Sequence, residues 1–158
     1  MLDDAKMEVL ELAGQGYTCA QIVVLMGLRV MGRENPDLIR AMSGLAMGAA
    51  CGSLCGALTG GLCLVGLHTG QGRPFERPVP GGRIPLGALV KWFVAEELGG
   101  RVEPTCRAIF ESAGQSYDFE SANPAAACGD LVSHVWAKAL ALVAEHGLDP
   151  SAGRVDDE

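Results

Sequence analysis

The chain has 158 residues, of which 49% are apolar, and 12 Lys and Arg against 19 Asp and Glu give it a formal net charge of −7. A chain of this length buries about 70% of its unfolded surface, so it needs neither a metal nor a disulfide merely to fold. The acidic balance argues against a nucleic-acid partner. The charged fraction of 20% excludes a disordered chain.

Three helices are predicted in the first part of the chain. Apolar residues at helical spacing predict the first over residues 2–13. Thr18 is the capping residue of the second, which runs to Met31. Asn35 caps the third, with Pro36 at the first helical position, where a missing N–H group costs nothing.

Residues 41–67 carry no charge, and their number alone would permit a membrane span. The stretch is rich in glycine, and its ends lack aromatic belts and a lysine–arginine cluster, so we do not expect it to cross a membrane. Its glycines recur at spacing four: Gly44, Gly48, Gly52, Gly56 and Gly60.

This spacing has two interpretations. On one continuous helix the glycines would form a groove that admits another backbone, although each interior glycine costs about 1 kcal/mol relative to alanine. Alternatively, two helices are broken near residues 51–53, and Ser53 caps the second. We favour the break.

The second half of the chain is also predicted as helices and loops. The segment 70–85 is rich in Gly and Pro, which predicts a long loop. Helices are predicted over 86–98 and 104–112, and a last one runs from the cap Asn123 to about His146.

Since no run alternates with the period of a strand, we predict an all-α fold, a compact bundle of about five to seven helices. It forms a single domain over residues 1–148, and residues 149–158 form a flexible acidic tail. The N-terminus is acidic and no apolar signal region follows it directly, which predicts a cytoplasmic protein. Thiols in that compartment are mostly reduced.

Several of the six cysteines fall at predicted helix starts. Cys19 takes the first position of its helix, Cys55 the second and Cys106 the third, whereas Cys128 lies one turn into the last helix. Helix N-termini favour a thiolate and lower the pKa of a thiol. The alternative for each cysteine is a role as a small apolar core residue.

Two sequence motifs resemble those of a known family. They are GYTCAQ at residues 16–21 and CGALTG at residues 55–60, followed by the single cysteines Cys106 and Cys128. In this order they resemble the C_GCAxxG_C_C family of redox-active proteins, over roughly residues 5–145. Cys51 and Cys63 lie outside the pattern.

The resemblance implies a redox or metal role for four residues: Cys19, Cys55, Cys106 and Cys128. Our first hypothesis is thiol–disulfide chemistry or electron transfer, as in a thiol oxidoreductase with an unidentified redox partner. The second is an iron–sulfur cluster or another metal on the same four thiolates, with Gly56, Ala57 and Gly60 as candidate cofactor-binding residues. Covalent haem is excluded because no Cys-x-x-Cys-His motif occurs.

A third hypothesis is a non-catalytic helical adaptor whose glycine groove seats a partner or a second copy of the chain in a homodimer. The histidines His68, His134 and His146 are expected to be structural or solvated rather than ligands. Asp130, two residues after Cys128, is expected to raise the pKa of that thiol.

Overall fold

The computed structural model describes residues 2–120 and 124–154 of the chain. These residues form seven helices of seven residues or more and one single-turn helix. The helices are α1 (Leu2–Gly14), α2 (Cys19–Val30), α3 (Pro36–Met42), α4 (Gly56–Thr69), α5 (Arg83–Trp92), α6 (Cys106–Ser112), α7 (Pro124–Ala127) and α8 (Gly129–Glu145). Within the described ranges there is no strand beyond one isolated bridge, which confirms the all-α prediction.

Helix α4 lies at the centre of the bundle. It packs against α2 on one side and α8 on the other, while α1 covers α8 and α5 contacts both α4 and α8. The core between them is aliphatic, with Ile22, Leu58, Leu64 and Val135 fully buried. Phe93 is also fully buried there.

The predicted capping residues of α2 and α3 are confirmed. Gln21 reaches back so that its Oε1 accepts from the Thr18 backbone N–H at 3.0 Å, which satisfies one of the free donors at the start of α2. The Asn35 side chain accepts from the Leu38 N–H at 3.0 Å, and Pro36 is the first residue of α3.

The uncharged stretch is broken, as favoured from the sequence. After α3 the chain passes through the 3₁₀ turn Ser43–Leu45 and the π-helical turn Gly48–Gly52 before α4 begins. Ser53 does not cap α4, which corrects the prediction. Its backbone is held in a bridge, and Cys55 takes the cap position.

Close packing of α2 on α4 explains two of the spaced glycines. A Cβ atom added at Gly60 would lie 2.9 Å from the carbonyl oxygen of Ala20, and one at Gly56 would lie 3.5 Å from the Cβ of Cys19. The part of the groove that α4 provides is therefore filled by α2 of the same chain.

Three predicted boundaries differ from the structure. Helix α5 starts at Arg83 rather than Leu86 and continues through the π-helical turn Phe93–Glu97. Helix α6 starts at Cys106, because Thr105 rather than a residue before Pro104 provides the cap. The predicted last helix is interrupted at Cys128, which separates α7 from α8, and its expected cap Asn123 lies outside the described residues.

Residues 149–154, at the start of the predicted tail, lie against the rest of the chain. The carbonyl oxygen of Pro150 lies 3.1 Å from Nε2 of the buried His68, and that of Ala152 accepts from Arg33 at 3.2 Å. Among the described residues, no helix has both the length and the apolar character needed to cross a membrane.

Candidate functional site

The structure brings the four family cysteines to one small cavity. Its wall contains Cys19, Cys55, Cys106 and Cys128. The cavity measures about 20 Å³, which is enough for roughly one water molecule. It is completed by Met47, Gly56, Ile109 and Phe110.

Each of the four cysteines lies where a helix begins. Cys19 and Cys106 are the first residues of α2 and α6, and Cys55 and Cys128 directly precede α4 and α8. The prediction for Cys19 is confirmed. The predicted helix positions of Cys55, Cys106 and Cys128 were wrong by two residues or more, because the caps differ from those expected.

A short antiparallel bridge joins the segments that carry Cys55 and Cys106. The Cys55 N–H donates to the Pro104 carbonyl oxygen at 2.9 Å, and the Cys106 N–H donates to the Ser53 carbonyl oxygen at 2.8 Å. The bridge pairs Leu54 with Thr105. It fixes the starts of α4 and α6 side by side, so the two thiols face one cavity.

The side chains of Cys19 and Cys128 interact within the cavity. The interaction with Cys19 lowers the pKa of Cys128. The same interaction, together with burial and the three neighbouring sulfurs, raises the pKa of Cys19 well above its ordinary value. Of the two residues, Cys128 is therefore the one whose thiolate form is favoured.

Cys55 and Cys106 are buried and stay protonated. Burial raises the pKa of Cys55 to about 12, although the backbone amides of Leu58 and Ala57 at the start of α4 act in the opposite direction. Burial and the neighbouring Cys128 raise the pKa of Cys106 to about 11. Position at a helix start alone therefore does not activate these two thiols, because the loss of solvent is the larger effect.

The expectation that Asp130 raises the pKa of Cys128 is not what the structure shows. The Asp130 carboxylate pairs with Lys6 Nζ at 2.6 Å, so its charge is compensated. The interaction with Cys19 has the largest effect on the pKa of Cys128 and lowers it.

Cys51 and Cys63 are separate from the cavity. Cys51 is exposed in the turn before α4, and Cys63 is partly buried in the middle of that helix. Among the predicted cofactor-binding residues, Gly56 lines the cavity. Ala57 is fully buried, and Gly60 packs against α2.

The histidines do not line the cavity. His68 is buried between two backbone carbonyl oxygens, His134 pairs with Glu97, and His146 lies near the carbonyl oxygen of Pro80.

One wall of the cavity is a segment of unusual backbone that the sequence does not reveal. Met47, Ala49 and Ala50 have φ values of 55°, 54° and 61°, a left-handed conformation that costs an L residue free energy. The Tyr117 hydroxyl donates to the Met47 carbonyl oxygen at 2.7 Å and helps to hold this segment in place.

The apolar residues Ile109 and Phe110, which also line the cavity, were not predicted as site residues. Nothing in the sequence distinguishes them from other apolar residues.

All six cysteines are free thiols in the structure. Within the described residues, no group of three or more His, Cys, Asp or Glu side chains is arranged to hold a metal ion. The four sulfurs thus share a cavity without the close convergence that a metal site requires.

Comparison with known proteins gives one match. Residues 17–142 match the C_GCAxxG_C_C family, described as a "putative redox-active protein". No curated protein and no solved structure matches the chain. The matched segment spans most of the chain and contains all four cysteines of the cavity, and the chain belongs to the C_GCAxxG_C_C family.

Proposed function

We propose that this protein is a thiol–disulfide redox protein in which Cys19 and Cys128 form the reactive pair. The observation that carries the proposal is the cavity shared by four cysteines, in which the interaction between Cys19 and Cys128 lowers the pKa of Cys128. A lowered pKa favours the thiolate, and the thiolate is the nucleophile in disulfide exchange.

The reaction is a two-electron exchange. The Cys128 thiolate attacks a substrate disulfide, forms a mixed disulfide and releases the first substrate thiolate. Cys19 then loses its proton and attacks the Cys128 sulfur, which releases the second substrate thiolate and leaves a Cys19–Cys128 disulfide. The protein is oxidised by two electrons, and the substrate disulfide is reduced to two thiols.

Cys55 and Cys106 belong to the proposal as a second dithiol. They are buried and protonated at neutral pH, so they do not make the first attack. They therefore stay reduced while the Cys19–Cys128 disulfide forms. A reducing compartment such as the cytoplasm would maintain the dithiol form.

The test is mild oxidation of the reduced protein, followed by thiol counting and peptide mapping. We expect the loss of two thiols and a Cys19–Cys128 cross-link, and neither C19S nor C128S should form it. C63S is the matched control and should behave as wild type. An unchanged thiol count, or cross-links that join separate chains only, would contradict the proposal.

A metal or iron–sulfur site on the same four thiolates is the second candidate, because all four cysteines line one cavity. It requires the sulfurs to move closer together, since they are not arranged to hold an ion. The volume of about 20 Å³ suits a single ion better than a cluster. Metal content and visible absorption of anaerobically purified protein test it, and colourless, metal-free protein would exclude it.

The adaptor hypothesis loses its main support in this structure. The glycine face of α4 packs against α2, and Gly61 packs against Val135 and Leu89. These surfaces are therefore not available to a second chain.

A further inference from the structure

A second, larger cavity reaches Cys128 from outside the cluster. It measures about 250 Å³ and lies between α6 and the junction of α7 with α8. Of the six cysteines, all of which the structure describes, Cys128 alone lines it. Ile109, Phe110 and Cys128 line both cavities, so the two cavities are neighbours that share Cys128.

The wall of this larger cavity is mostly apolar, with carboxylates at two places. Leu131 lies beside Ile109 and Phe110, and the carboxylates belong to Glu97 and Asp130. No lysine or arginine lines the cavity among the described residues. An anion that entered would therefore find no cationic side chain in the wall itself.

The two carboxylates differ in the groups that balance their negative charge. Lys6 Nζ lies 2.6 Å from Asp130, and this permanent cation neutralises it. Among the described residues, the ion-pair partner of Glu97 is the imidazole nitrogen Nδ1 of His134, at 2.9 Å, and the Glu97 side chain is 18% exposed. Glu97 is thus a largely buried carboxylate that no lysine or arginine of the described chain pairs with, and it favours a cation in the adjacent space.

We propose that this cavity is the substrate pocket of the redox pair, and that it takes one arm of a low-molecular-weight disulfide with a short apolar stem and a cationic end. The proposal rests on the proposed function. The Cys128 thiolate attacks the sulfur of the arm in the pocket, and the other arm leaves as a thiolate. Cys19 then displaces the bound arm as a second thiolate, so the protein is oxidised and the disulfide is reduced.

The volume supports a small substrate. Pockets for drug-sized ligands usually measure about 300–1,000 Å³, and this cavity lies just below that range. A short aliphatic arm is of suitable size, and its methylene groups would contact Phe110 and Leu131. Its ammonium group would lie near Glu97, whereas a carboxylate at the same end would be repelled.

The experiment compares three disulfides that share a two-carbon arm and differ in the terminal group. They are cystamine (ammonium), bis(2-hydroxyethyl) disulfide (hydroxyl) and 3,3′-dithiodipropionate (carboxylate). The rate of Cys128 oxidation by each is divided by its rate with a free model thiol, which removes differences in intrinsic reactivity. We expect cystamine to be favoured over dithiodipropionate by about tenfold or more at low salt, with the preference reduced at high salt.

Two variants locate the origin of the preference. E97Q keeps the size of the side chain and its ability to accept from His134, and it should reduce the preference severalfold. E111Q removes an exposed carboxylate from α6 that does not line the pocket, and it should leave the preference unchanged. Ala113 lies exposed at the rim, so A113L should slow the reaction with all three disulfides without disturbing the core.

The outcomes separate this inference from the proposed function. A Cys19–Cys128 disulfide that forms with three equal normalised rates would show that the pocket assignment is wrong, while the proposed function is retained. The same conclusion follows if E97Q leaves the preference for cystamine unchanged. If none of the three disulfides, and no other mild oxidant, produces the Cys19–Cys128 bond, the proposed function itself is wrong.

Discussion

Cys19, the first residue of α2, and Cys128, which precedes α8, line one cavity, and their side chains interact there. The two residues belong to distant parts of the chain, and packing of α2 against α8 brings them together. This contact makes the two thiols unequal, because one stabilises the charged form of the other.

Removal of the Cys19 donor should raise the pKa of Cys128. In C19A, burial still raises that pKa, and no thiol remains to lower it. The pH profile of Cys128 alkylation by iodoacetamide should therefore shift to higher pH, with a several-fold slower reaction at about pH 7. In C63A the profile should match wild type, and an unshifted profile in C19A would show that the contact does not tune Cys128.

Close packing of α2 on α4 can be tested with two glycines of the same helix. At Gly60 an added Cβ would meet the Ala20 backbone at 2.9 Å, whereas at Gly66 it would meet nothing within 4 Å. We expect G60A to lower the free energy of unfolding by about 1–2 kcal/mol. G66A should raise it by about 0.5–1 kcal/mol through helix propensity.

Denaturant unfolding monitored by circular dichroism measures both variants. Equal effects of G60A and G66A would show that α2 does not approach α4 as closely as described. A preserved Cys19–Cys128 cross-link in G66A would confirm that this variant leaves the site intact.

Alkaline pH should destabilise the fold through Cys55. Its pKa is about 12 in the folded protein, against an ordinary value of 9.0. Between these values the unfolded chain releases the proton and the folded chain keeps it, so stability falls as pH rises above about 9. The contribution is fully present below pH 9 and is lost by about pH 12.

C55A should therefore lose less stability than wild type between about pH 8 and pH 10.5. The comparison uses the slope of unfolding free energy against pH, so a constant packing loss in the variant does not affect it. Parallel slopes for the two proteins would contradict the burial of the Cys55 thiol.

The hydrogen bond from Tyr117 to Met47 should stabilise the left-handed segment beside the cavity. Y117F removes the donor at 2.7 Å and keeps the ring near Arg107. We expect a loss of about 0.5–1.5 kcal/mol in unfolding free energy and faster alkylation of Cys106, since Met47 and Cys106 line the same cavity. Unchanged stability and alkylation would show that Tyr117 does not support this wall.

The sequence predicted best what depends on neighbouring residues. The caps Thr18 and Asn35 are local signals, and both are confirmed. The all-α class followed from periodicity and the absence of alternating runs. The break in the glycine-rich stretch was also favoured correctly, but Cys55 rather than Ser53 precedes α4.

Features that depend on distant contacts were not predicted from local pattern. The bridge between Leu54 and Thr105 is too short to leave a period-two signal, yet it decides where α4 and α6 begin. The order of the cysteines suggested a shared site only through the family resemblance. Burial then reversed the expected effect of the helix starts on Cys55 and Cys106, because the desolvation of a thiol depends on tertiary packing.

The intact mass and peptide map of the reduced protein, after brief exposure to a small disulfide, test whether Cys19 and Cys128 are the reactive pair. We expect a monomer that is lighter by two hydrogens, with a cross-link between the peptides that contain Cys19 and Cys128. A protein of unchanged mass, or one whose two lost hydrogens map to Cys51 or Cys63, would contradict it.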